Sequence, residues 1–242
     1  GKFRSRSGNL LGDIINSGAV YSGAPSLKFG TVDYAQFAKK YADRDGIVAV
    51  GSNDGMLHAF DAKTGEEKFA YIPGWLAPKL PLLTRKDYAG SHQSYVDATP
   101  VVSDAVVGSG WKTVLVGGTG GGGRGVYALD VTEPKKFTAA NALWEFTAND
   151  DADMGFVIGV PKIVRLRTSA KGANPATDKW FVAVASGVNN YAKDGYSEQV
   201  SASGKPAIFL LDLSKEKNAP WRLGRNFYKI SLPINKGLAR TQ

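Results

Sequence analysis

The densest group of oxygen-bearing side chains in this sequence is Asn149, Asp150, Asp151 and Asp153, just ahead of Gly155. Carboxylates this close repel one another, and a hard cation such as calcium would relieve the repulsion by taking several oxygens at once. The alternating ligand order and terminal Glu of an EF-type loop are missing, so a polar loop between strands is the preferred reading. Asn189, Asn190, Asp194 and Glu198 form a second, weaker group of the same kind.

Other chemistry has little to work with. The 242 residues contain two histidines and no cysteine, which excludes disulfide scaffolds, thiolate metal sites and cysteine nucleophiles. His58 lies in MLHAFDA, where side chains alternate between faces, and reads as a structural histidine bonded to a neighbouring sheet. His92, in SHQSYVD, reads as exposed and unspecific. GGTGGGGRG sets Gly118, Gly120 and Gly123 at GxGxxG spacing, which would cradle a pyrophosphate if a helix followed. The next residues, Val126 to Asp130, form a strand pattern instead, so a flexible hairpin turn is expected. No P-loop, HExxH or GxSxG motif occurs.

The elements that must position these residues repeat. GIVAVGSNDGMLHAFDAKTG (46–65), WKTVLVGGTGGGGRGVYALDVTEP (111–134), and WFVAVASGVNNY with PAIFLLDLSKE (180–216) share one order: strand, small-residue turn, strand, aspartate. Asn53-Asp54-Gly55 suits a tight hairpin, and Asp61, Asp130 and Asp212 are expected to bond backbone amides in the turns that follow. A short strand precedes each unit, at 17–23, 98–106 and 159–167, and another follows, at 67–73, 142–148 and 225–233. Four antiparallel strands per unit predict β-propeller blades at about 16–73, 97–148 and 158–233. The fold class is therefore all-β, with 1–242 forming part of a single propeller domain.

Inserts are expected at 26–46, 74–96, 168–178 and 188–205. In the first, Tyr34, Phe37, Ala38 and Tyr41 follow helical spacing, which predicts an amphipathic helix over 33–43, capped by Asp33, with its stripe against the first blade or open to a partner. Loops on a rigid propeller are the usual seat of binding, which singles out 74–96 and 188–205. Trp111, Trp144, Trp180 and Trp221 read as packing between blades.

Charge adds exclusions. The net charge of +8 resides at the ends: residues 1–40 hold six Lys and Arg against two Asp, and 215–242 hold seven against one Glu. Solvated termini explain this better than a nucleic-acid groove, which needs bases clustered with stacking aromatics. No apolar run is long enough to span a bilayer. The opening GKFRSRSGNL has neither an initiator Met nor an apolar signal core, so it reads as the interior of a longer protein, and the lack of cysteine is compatible with an extracytoplasmic setting. Three blades do not close a ring, so further blades of the same polypeptide are expected beyond Gln242, association of several copies being the alternative.

LGDIINSGAVYSGAP, VAVGSNDGMLHAFDAKTGEEKFAYIP, YVDATPVVSDAV, WKTVLVGGTGGGGRGVYALDVT and LWEF, in this order over nearly the whole chain, resemble the C-terminal propeller of the PilC/PilY1 family of type IV pilus proteins. SGVNNY and AIFLLDLSK resemble the neisserial-type branch more than the pseudomonad one. The resemblance implies a non-catalytic protein of the pilus tip or outer-membrane surface that supports pilus biogenesis, limits retraction, and mediates adhesion and twitching motility. Its implied partners are pilin, minor pilins and the host-cell surface. It also implies calcium regulation through an aspartate-rich loop whose alternating order Asp150, Asp151 and Asp153 do not reproduce, so that site is expected outside this stretch. Two other classes stay open. VGSNDGMLHAFDAKTG also resembles the repeats of pyrroloquinoline-quinone dehydrogenases, and an outer-membrane assembly scaffold would use the same loops without adhesion.

Overall fold

Runs of Val, Ile, Leu, Phe and Tyr broken by Gly, Asn and Asp turns form short strands, and a sheet of such strands must bury at least one face. The computed structural model describes residues 2–6, 8, 10–193 and 199–233. It shows three four-stranded sheets, each ordered as in the sequence and antiparallel throughout. The first blade comprises β1 (Val20–Ser22), β2 (Ile47–Gly51), β3 (Leu57–Asp61) and β4 (Glu67–Tyr71). The second comprises β5 (Val101–Val107), β6 (Gly110–Gly118), β7 (Gly125–Asp130) and β8 (Ala142–Thr147). The third comprises β9 (Lys162–Arg167), β10 (Asp178–Ala185), β11 (Ala207–Asp212) and β12 (Phe227–Ser231).

The repeat extends to register. The β3–β4 pairing shifts between Ala59 and Phe60, and the β7–β8 pairing shifts between Ala128 and Leu129. Both shifts fall two residues before the aspartate that ends the third strand. That carboxylate then caps its turn through Oδ1, which accepts from Lys63 N and Thr64 N at Asp61, from Thr132 N at Asp130 and from Ser214 N at Asp212. Lysine ammoniums reach the second oxygen in all three blades, Lys68 at 3.6 Å from Asp61, Lys112 at 2.5 Å from Asp130 and Lys179 at 2.9 Å from Asp212.

Blades stack face to face. Ile47, Ala49, Leu57, Ala59 and Phe69 of the first pack with Leu115, Tyr127 and Leu129 of the second. The other face of the second, with Val114, Val116, Val126, Ala128 and Phe146, packs on Val182, Val184, Phe209, Leu211 and Phe227 of the third. This is why β6 and β7 are almost unbrokenly apolar: sheets covered on both faces do not need a polar alternate. The outward face of the third blade remains open, with Ile208, Tyr228 and Ile230 38%, 41% and 52% exposed. Aromatic rings bridge the second and third blades, Trp111 to Trp180 at 5.7 Å and Trp144 to Trp221 at 5.2 Å between centroids.

The inserted helix differs from expectation. α1 spans Val32–Lys40 and ends before Ala42 and Arg44, whose amides bond the carbonyls three residues back. Asp33 is not its cap: the N-cap is Thr31, without a side-chain cap bond, and Asp33 Oδ2 accepts instead from Trp111 Nε1 at 2.8 Å. Its buried Tyr34 and Phe37 turn toward the second blade, Tyr34 lying 4.6 Å from the Trp111 ring and donating to Asp104 at 2.8 Å. Thr113 completes that site by donating to Asp104 and accepting from Arg44, each at 2.6 Å. The helix therefore clasps two blades together.

Other inserts also gain structure. Residues 74–96 hold 3-10 turns at Gly74–Thr84 and Tyr88–Ser91, where Pro78 and Pro81 fit because their fixed φ matches and few amides are needed. The 168–178 loop gives Asp178 to β10 and is drawn in by Arg167, which donates to the Ala170 and Ala173 carbonyls.

Because Trp180 is 92% covered and joins the Phe29–Trp111 cluster, Trp180→Ala should cost about 3–5 kcal/mol of stability by urea unfolding. A loss below about 1 kcal/mol would show that the second and third blades do not depend on this contact.

Candidate binding face

In a four-stranded meander the turn between the second and third strands and the connection leaving the fourth emerge at the same end. The turns 52–56 and 119–124, residues 186–193 and 199–206, and the connections 72–100 and 148–161 thus share one end of the blades, and side chains knit them together. Asn53 ties the first of these turns to the 72–100 connection and to the amino-terminal segment. Its amide donates to the Asp13 carbonyl at 2.9 Å, its Nδ2 to Asp13 Oδ2 at 2.8 Å, and its Oδ1 accepts from Tyr95 N at 2.9 Å. Gly55, at φ +99°, supplies the left-handed residue that closes the turn. Asp54 is buried beside it and accepts from Gly12 N at 2.7 Å. Asp97 continues the seam, accepting from Asn16 N and Asn16 Nδ2 at 3.0 and 2.7 Å.

His58 belongs to this end but not to a neighbouring blade. Its Nδ1 lies 2.5 Å from Glu67 Oε1 and its Nε2 3.1 Å from Asp54, both within the first blade, because β3 pairs with β4 and places Glu67 alongside. Burial works against its charge, yet hydrogen bonds to Asp54 and Glu67 outweigh burial and raise it above the ordinary 6.5. Burial likewise opposes ionisation of Asp54, but the bonds from His58 and Gly12 prevail and hold it below 3.8. His92 is 40% exposed along its side chain and meets Asp13 at 3.0 Å.

The glycine run is not a flexible turn. Gly120–Gly122 forms a 3-10 turn closed by Gly122 N to Thr119 O at 2.8 Å, and Thr119 Oγ1 donates to the Gly123 carbonyl at 2.9 Å. A Cβ on Gly122 would overlap the Tyr95 carbonyl, so glycine serves here to let two backbones touch. Two buried cations, which sequence reasoning did not single out, hold the run in place. Lys79 Nζ donates to the Ser94 and Gly122 carbonyls at 2.6 and 3.2 Å, and Arg124, 1% exposed, donates to the Asn190 and Gln199 carbonyls at 3.3 and 2.6 Å. The glycine run is thereby wedged between the 74–96 and 188–205 inserts. The legible signal for Arg124 was a lone cation inside a glycine-rich apolar hairpin.

The carboxylate cluster is brought together around a lysine. Lys229 Nζ, from β12, lies 2.9 Å from both Asp151 and Asp153. Burial disfavours its charge, but the two carboxylates raise it above its usual 10.5. Asp153 also accepts from Ser201, tying in the 188–205 insert, and Asn190 Nδ2 donates to the Asp153 and Lys205 carbonyls at 3.1 Å each. Asp150 turns away and accepts from Thr147 N at 2.8 Å, with burial raising its carboxyl above 3.8. Asn189 stands at φ +55° in the turn, while Asp194 and Glu198 lie outside the described residues. The calcium implied by the resemblance does not fit Asp151 and Asp153 as arranged, because an ammonium already lies between them. Among the described residues no three His, Cys, Asp or Glu gather as metal ligands. What the arrangement can do is present a preformed polar surface held by its own bonds.

The family model for the PilY1 beta-propeller domain matches residues 11–220. The type IV pilus biogenesis factor PilY1 of Pseudomonas aeruginosa is 41% identical over 245 residues, covering 98% of this chain and 18% of that protein. A PilY1 homolog of Xylella fastidiosa is 36% identical over 224 residues, covering 88% of this chain and 14% of the homolog. The crystal structure of the P. aeruginosa PilY1 C-terminal domain matches with a TM-score of 0.65 at 29% identity, covering 90% of this chain and 38% of that one. The chain thus spans less than a fifth of these curated relatives. Their sources give no support to the neisserial branch in particular.

Two outcomes follow from the geometry. Gly122→Ala should lower stability by about 2 kcal/mol or more in denaturant unfolding, since neither the carbonyl of Tyr95 nor the turn can yield cheaply; an unchanged midpoint would contradict the close approach. Protonated His58 stabilises the fold fully below about pH 6.5, and this is lost as pH rises through its elevated folded value; the Asp54 contribution is present above about pH 3.8 and is lost as pH falls through its lowered value. His58→Gln should therefore flatten the decline in stability as pH rises above about 6.5, and an unaltered slope would show that other groups set it.

Proposed function

The chain belongs to the PilY1 beta-propeller family, and from that premise we propose that it is a non-catalytic binding module of a type IV pilus protein. In this reading the blades hold the 74–96 and 188–205 inserts as a rigid face that contacts pilin or minor pilins and, at an exported position on the pilus tip or outer-membrane surface, the host cell. The observation that carries the proposal is the tying of both inserts to the glycine run by Lys79 and Arg124. A segment fixed in place before binding loses less entropy when a partner docks. No helix among the described residues is long and apolar enough to cross a membrane.

The resemblance to quinone dehydrogenases gains less from this site. A quinone clamp needs a cation with open coordination, whereas the carboxylates gathered here face the Lys229 ammonium. Calcium, where the protein uses it, is assigned in this reading to ligands other than Asp150, Asp151 and Asp153.

Replacing residues 74–96 by a short Gly-Ser linker in the full-length protein should abolish surface pili or adhesion, scored by electron microscopy and cell-binding counts. Wild-type levels of both would remove this insert from the contact surface. Loss of adhesion with pili intact would favour the adhesin, and loss of pili the assembly scaffold. Calcium at millimolar concentration should leave the melting temperature of the 242-residue chain unchanged, and a rise of several degrees would place a site within it.

A further inference from the structure

At the rim of the same face, residues 4–6 and 11–13 border a cavity of about 490 Å³ together with the first hairpin turn and the 74–96 insert. Arg4 and Arg6 form one wall, with Leu11, Leu83 and Tyr88 around them. Arg4 is held from two sides: its amide donates to the Thr84 carbonyl at 2.9 Å, and its guanidinium carbon lies 4.5 Å from the centre of the Tyr88 ring. The stack fixes the plane of the guanidinium while its Nε, shielded from water, has no acceptor. Arg6 has no acceptor among the described residues either.

The carboxylates that face the cavity are already engaged. Asp54 accepts from Gly12 N and meets His58, and Asp13 accepts from Asn53 and meets His92. The cavity therefore presents two guanidinium groups without an acceptor among the described residues, beside an apolar wall, and its acidic groups do not compete for them. We infer that it binds a carboxylate side chain of an acidic peptide segment on a protein partner. One carboxylate would accept end-on from the terminal nitrogens of Arg4, and Arg6 would take a free lone pair or a neighbouring acidic residue. Leu11 and Leu83 would cover the methylenes. The planar fork suits a carboxylate, and the volume exceeds what one inorganic oxyanion fills. This rests on the reading of the face as a protein-binding surface.

The test is a titration of the full-length protein with a fluorescent glutamate-rich peptide, its glutamine counterpart, and inorganic phosphate as competitor. The glutamate peptide should bind at least about tenfold more tightly than the glutamine one, more weakly as salt rises, and phosphate at the same concentration should not displace it. Arg6→Gln should weaken binding about tenfold with the melting temperature unchanged. Leu11→Glu, which leaves both arginines and the Tyr88 stack in place, should do the same by supplying a competing carboxylate. Equal binding of the two peptides, or wild-type affinity in both variants, would overturn the proposal, and displacement by equimolar phosphate would make this a small-anion site instead. If Leu11→Glu abolishes peptide binding while pili and adhesion persist, the cavity stands and the functional role of the face falls. If no peptide binds although removal of residues 74–96 still abolishes pili, the cavity falls and that role stands.

Discussion

The burial of the second blade on both faces is the constraint from which the remaining architecture follows. Val114, Leu115, Val116, Val126, Ala128 and Leu129 are wholly covered, so consecutive residues of β6 and β7 point into different cores yet both exclude water. At about 25 cal/mol per Å² of apolar surface, two such interfaces outweigh any single turn or ion pair in the chain. The blades on either side inherit their orientation from this one. Their loops consequently emerge together, and a common loop face is a result of the stacking.

That face is polar yet tightly closed. Burying backbone carbonyls and carboxylates is costly unless each finds a donor, and the donors here come from distant parts of the chain. Asn53 serves the amino-terminal segment and the 74–96 insert, Lys79 and Arg124 serve the glycine run, and Lys229 brings a strand of the third blade to the acidic loop before it. Burial explains the pattern: a lysine or arginine bonded to carbonyls can tie loops together where an apolar side chain would leave those oxygens unsatisfied. The chain belongs to the PilY1 beta-propeller family, and the loop face of its blades is held in shape by these bonds.

Local patterns made the blades legible. Alternating apolar runs, the Asn53-Asp54-Gly55 turn and the recurring Asp61, Asp130 and Asp212 report interactions between near neighbours, so strand order and the aspartate-capped turns follow from spacing. Long-range partners were less legible. Asp33 looks like a helix cap, but Trp111, 78 positions away, takes its carboxylate. The glycine run resembles a flexible turn because its tightness comes from Tyr95 in another loop, and the acidic group resembles a cation site because Lys229 lies 76 positions further on from Asp153. In each case the deciding group was brought in by blade stacking, which no local window contains.

Hydrogen–deuterium exchange of the full-length protein tests the central claim most directly, since it reports whether the loop face is as rigid as the sheets beneath it. The account predicts that the amides of Asn53, Tyr95 and Asp97, each bonded across the face, exchange nearly as slowly as those of β6 and β7. Exchange of these three amides at the rate of open surface loops, with the strands still protected, would contradict it.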